Sequence, residues 1–315
     1  MRDGVDYAAA LRLLLDAAAV VPHTDADGLA SGAIALRARG EGAERATLLG
    51  RGQNLWDGAV PLPDGTLAVL DWGVRRLDRP ALFVDHHAPE AEAGPGQIVI
   101  SGYGAEPEIS TAALMRRVAP DAPAWLAAVG AVGDLGDRAF ELPECAGAPK
   151  TAVRKLVPLV NAPRRLRDGP VREALALLVE HDDPRDALKD PRVEVLETSR
   201  QEWRSAYDAI MKIGPRVRGD IALIRFSAPY QVHPLVAQAW MRRLAPRVVI
   251  AANDDYLPGL VNFAARGGAG DLRALLRDAL PGVEGEFAHG HDRATGGSLA
   301  PEEFDRLLAN LGFDE

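Results

Sequence analysis

The sequence predicts an α/β fold in two domains. An N-terminal mostly parallel sheet flanked by helices is followed by a long connecting helix and a smaller C-terminal α/β domain. Three observations carry that reading. Short apolar runs alternate with helical stretches through the first half, the pattern of strands in a parallel sheet. Acidic motifs follow three of those runs, at the strand ends where open parallel sheets bind ligands. A charged, weakly amphipathic segment, 191–213, then separates two groups of strand-like runs. The expected boundaries are 1–189, 190–214 and 215–315.

In order, residues 7–18 carry leucines on one face and predict a helix. The run Ala17 to Val21 is a strand, and Leu29 to Arg37 a helix of small residues. Ala46 to Leu49, Thr66 to Leu70, Ala81 to Val84 and Ile98 to Ile100 are further strands. Ser110 or Thr111 opens a helix, reading foremost as a plain cap and alternatively as a start that points its amides at an anion. Trp125 to Val132, Lys150 to Val160 and Val171 to Glu180 are helical. The connecting helix begins near Asp190-Pro191 and stops at Gly214-Pro215. Beyond it, Ile221 to Phe226, Val248 to Ala252 and Leu260 to Ala265 are strands. Val232 to Leu244, Gly270 to Leu280 and about Pro301 to Leu311 are helices, and Phe287 to Leu299 is a glycine- and histidine-bearing loop.

Composition narrows the function. The 315 residues are 47% hydrophobic and 26% charged, a globular balance with room for two cores. A single cysteine, Cys145, excludes a disulfide framework or a zinc cluster within one chain and suits a reducing compartment. No apolar run reaches membrane-spanning length and the first residues do not resemble a signal peptide, so a cytoplasmic protein is expected. A net charge of −9 argues against tight nonspecific binding of long polyanions and suits a site that brings its own cations.

The chemistry concentrates in His23-Thr24-Asp25-Ala26-Asp27-Gly28, in Asp71, in Asp85-His86-His87 and in Asp134. Each acidic turn alone reads equally well as a helix cap or an ordinary strand end. Together they put several carboxylates at one sheet edge, where mutual repulsion demands neutralisation. Two divalent cations sharing one aspartate meet that demand, and such a pair prepares a hydroxide for in-line attack on phosphorus. Mixed oxygen and imidazole donors favour manganese, with magnesium as the alternative.

This ordered set resembles the DHH phosphoesterase superfamily, and Gly290-His291-x-x-Ala294-x-Gly296 resembles the motif of its DHH-associated second domain. Asn161-Ala162-Pro163-Arg164 and Asp-Ala-Asp-Gly are similar to the RecJ branch. The resemblance implies that Asp71 bridges two metals, that Asp27, His86 and Asp134 complete one site, and that Asp25 with His23 completes the other. His87 is implied to face the scissile phosphate and Asp85 to orient a histidine. Arg266, Gly290, His291, Gly296, Asn161 and Arg164 are implied to hold substrate. The activity implied is manganese-dependent exonucleolytic hydrolysis of short single-stranded DNA or RNA to mononucleotides. A small-nucleotide phosphatase or phosphodiesterase acting on pAp or a cyclic dinucleotide is the alternative. A homodimer is left open, and no membrane partner is expected.

Overall fold

The computed structural model describes residues 6–56, 58–268, 270–283 and 287–313. The chain divides into two compact units, 1–164 with 168–200 and 165–167 with 201–315.

The first unit opens with α1 (Tyr7–Leu15), whose start is capped by Asp6 accepting from the Ala9 amide. Then come β1 (Ala19–Pro22), α2 (Ala26–Arg39), β2 (Leu67–Leu70), β3 (Ala81–Asp85) and β4 (Gln97–Ser101). The four strands pair in sequence order and all are parallel. Their carboxyl ends therefore share one edge. Helices α3 (Thr111–Val118), α4 (Ala124–Leu135), α5 (Lys150–Val160), α6 (Val171–Glu180) and the short α7 (Pro184–Ala187) follow.

Strand side chains alternate faces. Ala68 and Leu70 of β2 join Leu14, Leu29, Ile34, Leu114 and Leu126 in the helical core. Leu67 and Val69 face the other way, with Phe83, Leu49, Leu55 and Val74. Loop segments thus line that second, smaller core. The small residues of α2 have a packing reason. An added Cβ at Gly32 would lie 2.9 Å from the Pro22 ring, so the helix sits directly on β1.

Helix α8 (Arg192–Ile210) joins the units. The second unit has β5 (Arg216–Arg218), β6 (Ile221–Phe226), α9 (His233–Leu244), β7 (Val248–Leu257), β8 (Leu260–Gly267), α10 (Leu272–Ala279), β9 (Phe287–His291), β10 (Ala294–Leu299) and α11 (Pro301–Asn310). Among the described residues its six strands lie in the order β5-β6-β7-β8-β10-β9, and only β6 and β7 run parallel. Ala222 and Ile224 of β6 pack with Trp203 and Val236 on one face. Leu223 packs with Phe263, Leu276 and Phe304 on the other.

Three local expectations change. Ala46 to Leu49 forms no strand and makes one isolated bridge, Ala46 to Val20. Four residues beside an edge strand bury an apolar face without completing a ladder. Phe287 to Leu299 is a hairpin, not a loop: its glycines permit a bulge between Gly296 and Gly297 while the ladder continues. Residues 216–218 add an edge strand whose Arg-Val-Arg pattern carries too little apolar signal to mark it.

Candidate metal centre

The first acidic turn leaves β1 and enters α2. Asp25 caps that helix, accepting from the Gly28 amide at 3.0 Å, so the plain capping role and the clustering of acids coexist. Gly28 is required by contact: an added Cβ would sit 2.3 Å from the His23 carbonyl oxygen. Two residues past Asp25, the Asp27 carboxylate turns inward and is buried. It accepts from the amides of Thr111 (2.7 Å) and Ala112 (2.9 Å). The anion facing the first amides of α3 is therefore one of the protein's own, while Ser110 caps the helix through its side chain.

Asp71 follows β2 with φ at +68°, a left-handed conformation unusual for a residue other than glycine. That turn puts its buried carboxylate among the other acids, where Thr111 Oγ1 donates to Oδ1 at 2.8 Å. Asp85 closes β3. Its oxygens accept from the amides of Gly73 and His87, both at 2.6 Å, and lie 3.0 Å from His87 Nδ1. His86 Nε2 lies 3.6 Å from Asp71 and 3.7 Å from Asp134, which sits on the last turn of α4. His23 Nδ1 approaches Asp25 to 2.9 Å and Asp71 to 3.7 Å. The closer approach is not aligned for a hydrogen bond, and Nδ1 is buried without a hydrogen-bond partner.

Three groups of donor atoms fall within 4.8 Å of one another: His23, Asp25 and Asp71; Asp27, His86 and Asp134; Asp71, His86 and His87. Asp71 and His86 each belong to two of them. Gaps of 3.6–3.9 Å between these atoms are too long for hydrogen bonds and suit donors arranged around a common cation.

Electrostatics tell the same story. Burial, then the charges of Asp27 and Asp25, push Asp71 up to about 6. Burial and the same neighbours with Asp71 hold Asp134 well above the carboxylate range. Burial alone would lower His23, but Asp25 raises it to about 9. Burial likewise opposes the charge on His87, and Asp85 with Asp71 outweighs it, again to about 9. Desolvation alone would raise Asp25, which is half-buried, yet His23 and Arg164 hold it well below its usual value. Asp85 is held low by His87 and the Gly73 amide despite its burial. Two carboxylates driven toward protonation beside two imidazoles driven toward it describe a cluster short of positive charge. Imidazole and carboxylate donors spaced 3.6–3.9 Å apart, too far for hydrogen bonds, fit divalent cations.

Sequence reading missed two side-chain contacts. Thr111 was visible only as a cap, and its bond to Asp71 spans 40 residues. Trp72 stands edge-on to His23, with ring centres 5.0 Å apart. Of the residues implied to hold substrate, Arg164 Nη1 reaches Asp25 at 3.1 Å, and its buried Nε has no hydrogen-bond partner. Asn161 Oδ1 accepts from the Ala26 amide at 3.0 Å and so steadies the acidic turn.

In the second unit, Arg266 stands one residue before the end of β8, with Nη1 donating to the carbonyls of Ala265 and Thr295. It makes no ion pair among the described residues, and burial lowers its pKa. Gly296 makes room for the neighbouring strand, since an added Cβ would lie 2.3 Å from the Phe263 oxygen. The backbones of Gly290 and His291 run in β9. The side chain of His291 lies outside the described residues.

The structural neighbours of this chain, over nearly its whole length, are DHH-family phosphoesterases. One is exonuclease RecJ bound to manganese: TM-score 0.65, 20% identity, 99% of this chain and 96% of that chain covered. Another is RecJ from Thermus thermophilus in complex with Mn2+, with TM-score 0.67 and 19% identity; it covers 98% of this chain, which spans 55% of that one. A third is the pGpG-specific phosphodiesterase PggH from Vibrio cholerae, with TM-score 0.54, 17% identity and coverage of 93% and 97%. At these identities the likeness is one of fold. No family model and no curated protein matches the sequence. No helix among the described residues is long and apolar enough to cross a membrane.

Proposed function

We propose that the protein is a metal-dependent phosphodiesterase that hydrolyses short single-stranded DNA or RNA oligonucleotides from an end, releasing mononucleotides. The observation that carries this reading is the interlocking of the donor groups through Asp71 and His86 at one sheet edge. His23, Asp25 and Asp71 would hold one divalent cation; Asp27, His86 and Asp134 would hold the other, with Asp71 shared between them. Manganese suits the mixed donors better than magnesium. When bound, such a pair activates water and neutralises charge on phosphorus.

The chain's own groups do the rest. Thr111 and the first amides of α3 fix Asp71 and Asp27 in place. Asp85 fixes the His87 ring through Nδ1, which leaves Nε2 to donate to a phosphoryl oxygen. The buried Nε of Arg164 offers a further donor beside Asp25. In the second unit Arg266, a guanidinium with no ion pair among the described residues, is assigned a substrate phosphate. Gly290, His291 and Gly296 on the adjoining hairpin are assigned to the same end of the substrate.

Labelled oligonucleotides of about two to ten nucleotides, incubated with manganese, test the reading. Mononucleotide release lost in Asp71→Asn supports it, and no cleavage at any length overturns it. A second reading keeps the chemistry and takes a small nucleotide such as pGpG, pAp or a cyclic dinucleotide. It is favoured by PggH, a pGpG-specific enzyme that this chain covers almost end to end. Competition between these nucleotides and a longer oligomer separates the two.

A further inference from the structure

The chain is acidic overall, yet from Met211 to Arg247 it carries seven lysines and arginines and one acid, Asp220. The sheet of the second unit gathers most of that charge at a single edge. Arg218 ends β5 opposite Ile221, the first residue of β6. Ile221 lies beside Val248, the first of β7, which follows Arg247. Val248 is paired with Gly267, the last of β8, and Arg266 with Ala294, the first of β10. The edge therefore runs from Arg266 through Arg247 to Arg218 across three strand spacings, about 14 Å.

The last turn of α9 abuts the same place. An added Cβ on Gly267 would lie 2.7 Å from the Arg247 oxygen and 2.9 Å from Met241 Cγ, and the next two residues of α9 are Arg242 and Arg243. Arg216, Arg218, Arg242 and Arg243 are exposed, and with Arg247 they make no ion pair among the described residues. Arg243 lies over the Trp240 ring, 5.0 Å from its centre, and the Arg247 Nε is buried without a hydrogen-bond partner. Of the carboxylates nearby, Asp271 and Asp292 are engaged by Arg273, and Asp220 stands at the start of β6.

Guanidiniums along a sheet edge and at the end of the helix beside it, mostly exposed and without ion pairs among the described residues, in a protein whose net charge repels polyanions, suit a chain of phosphates. We propose that this arginine strip is a track for the sugar-phosphate backbone of a single-stranded oligonucleotide, continuing from the phosphate held at Arg266. The proposal rests on the oligonucleotide reading above and deepens it: it selects substrates several nucleotides long over dinucleotides. Phosphate contacts of this kind are sequence-independent and weaken with salt.

The test uses the full chain carrying Asp71→Asn, which blocks cleavage, in manganese buffer. Fluorescence anisotropy follows oligothymidylates of about two to ten nucleotides over a series of salt concentrations. Affinity should rise with length. Arg216→Gln with Arg218→Gln, and separately Arg242→Gln with Arg243→Gln, should weaken the longest oligomers about tenfold and lower the salt slope by about 0.7 for each phosphate left without its arginine. The same pairs in the otherwise wild-type chain should leave dinucleotide turnover within about twofold, since a dinucleotide has too few phosphates to engage the strip beyond Arg266. Length-independent affinity, or paired variants that bind every length as the parent does, overturns the track. Binding of vesicles rich in anionic lipid that is lost in the paired variants, with oligonucleotide binding unchanged, overturns it in favour of a membrane surface. Length-dependent binding without any turnover by the wild-type chain would instead count against the catalytic reading and leave the track standing.

Discussion

The two sheets gather opposite charges at their edges by different means. In the first unit four parallel strands end side by side, and the acids arrive on the turns that leave them. Those acids are crowded, with Asp27, Asp71 and Asp85 buried and Asp25 and Asp134 partly open to solvent, and the pKa values of Asp25, Asp71 and Asp134 are displaced in both directions. In the second unit a mixed sheet brings strand starts and ends to one edge, and the arginines there are mostly exposed. A buried cluster of one sign must have a counter-charge to be tolerated, whereas an exposed one is screened by water and salt. The first edge is thus suited to ions held in fixed positions and the second to a polyanion held loosely.

The largest test of this contrast is Asp71→Asn, which removes the carboxylate shared by two donor groups. Turnover should fall about a thousandfold or more, as expected when a group that stabilises transition-state charge is lost. Steady-state rates with manganese check it. Arg266→Gln, on the other sheet, should raise KM about tenfold while changing kcat little under the proposed role, because holding a phosphate that does not react contributes to binding.

Next in size is a pH effect confined to the acidic edge. His23, held protonated up to about 9 by Asp25, must release that proton to become a ligand. Asp71, raised to about 6, must release its own at lower pH. Apparent manganese affinity should therefore fall as pH drops from 9, by up to about tenfold per pH unit for one proton, and more steeply below 6. Titration calorimetry in buffers of different ionisation enthalpy would count the protons released; none released at about pH 8 would contradict the assignment of His23, and no further release at about pH 5 that of Asp71.

Smaller again is Thr111→Val, which keeps the shape and deletes the hydroxyl that donates to Asp71. A loss of about tenfold in kcat/KM fits one hydrogen bond to a charged group. Thr111→Ser should restore most of it, and a valine variant as active as the parent would deny Thr111 any orienting role. Least of all, Asn161→Ala frees the Ala26 amide and should lower stability by about 1 kcal/mol, measured by urea denaturation.

Much of this arrangement was legible in the chain. Apolar runs ending in acids announced the parallel sheet and its loaded edge, because strand, turn and helix start are local patterns. Harder to see were features set by distant partners. The Thr111 hydroxyl reads as a cap until the fold brings it to Asp71, and Asn161 reads as a helix end until it meets Ala26. The strand at Arg216–Arg218 was hidden because its side chains are almost all charged and its pairing comes from the neighbour. The hairpin at Phe287–Leu299 was hidden by glycines that mark loops as readily as bulges.

Asp71 combines a left-handed backbone with a carboxylate that burial and two like charges drive toward protonation. Asparagine tolerates that backbone better and carries no charge. Without added metal, Asp71→Asn should therefore melt several degrees higher than the parent, by about 5 °C on the usual scaling. Laboratory evolution for heat resistance alone would then drift toward an inert protein, unless every round also selected for turnover.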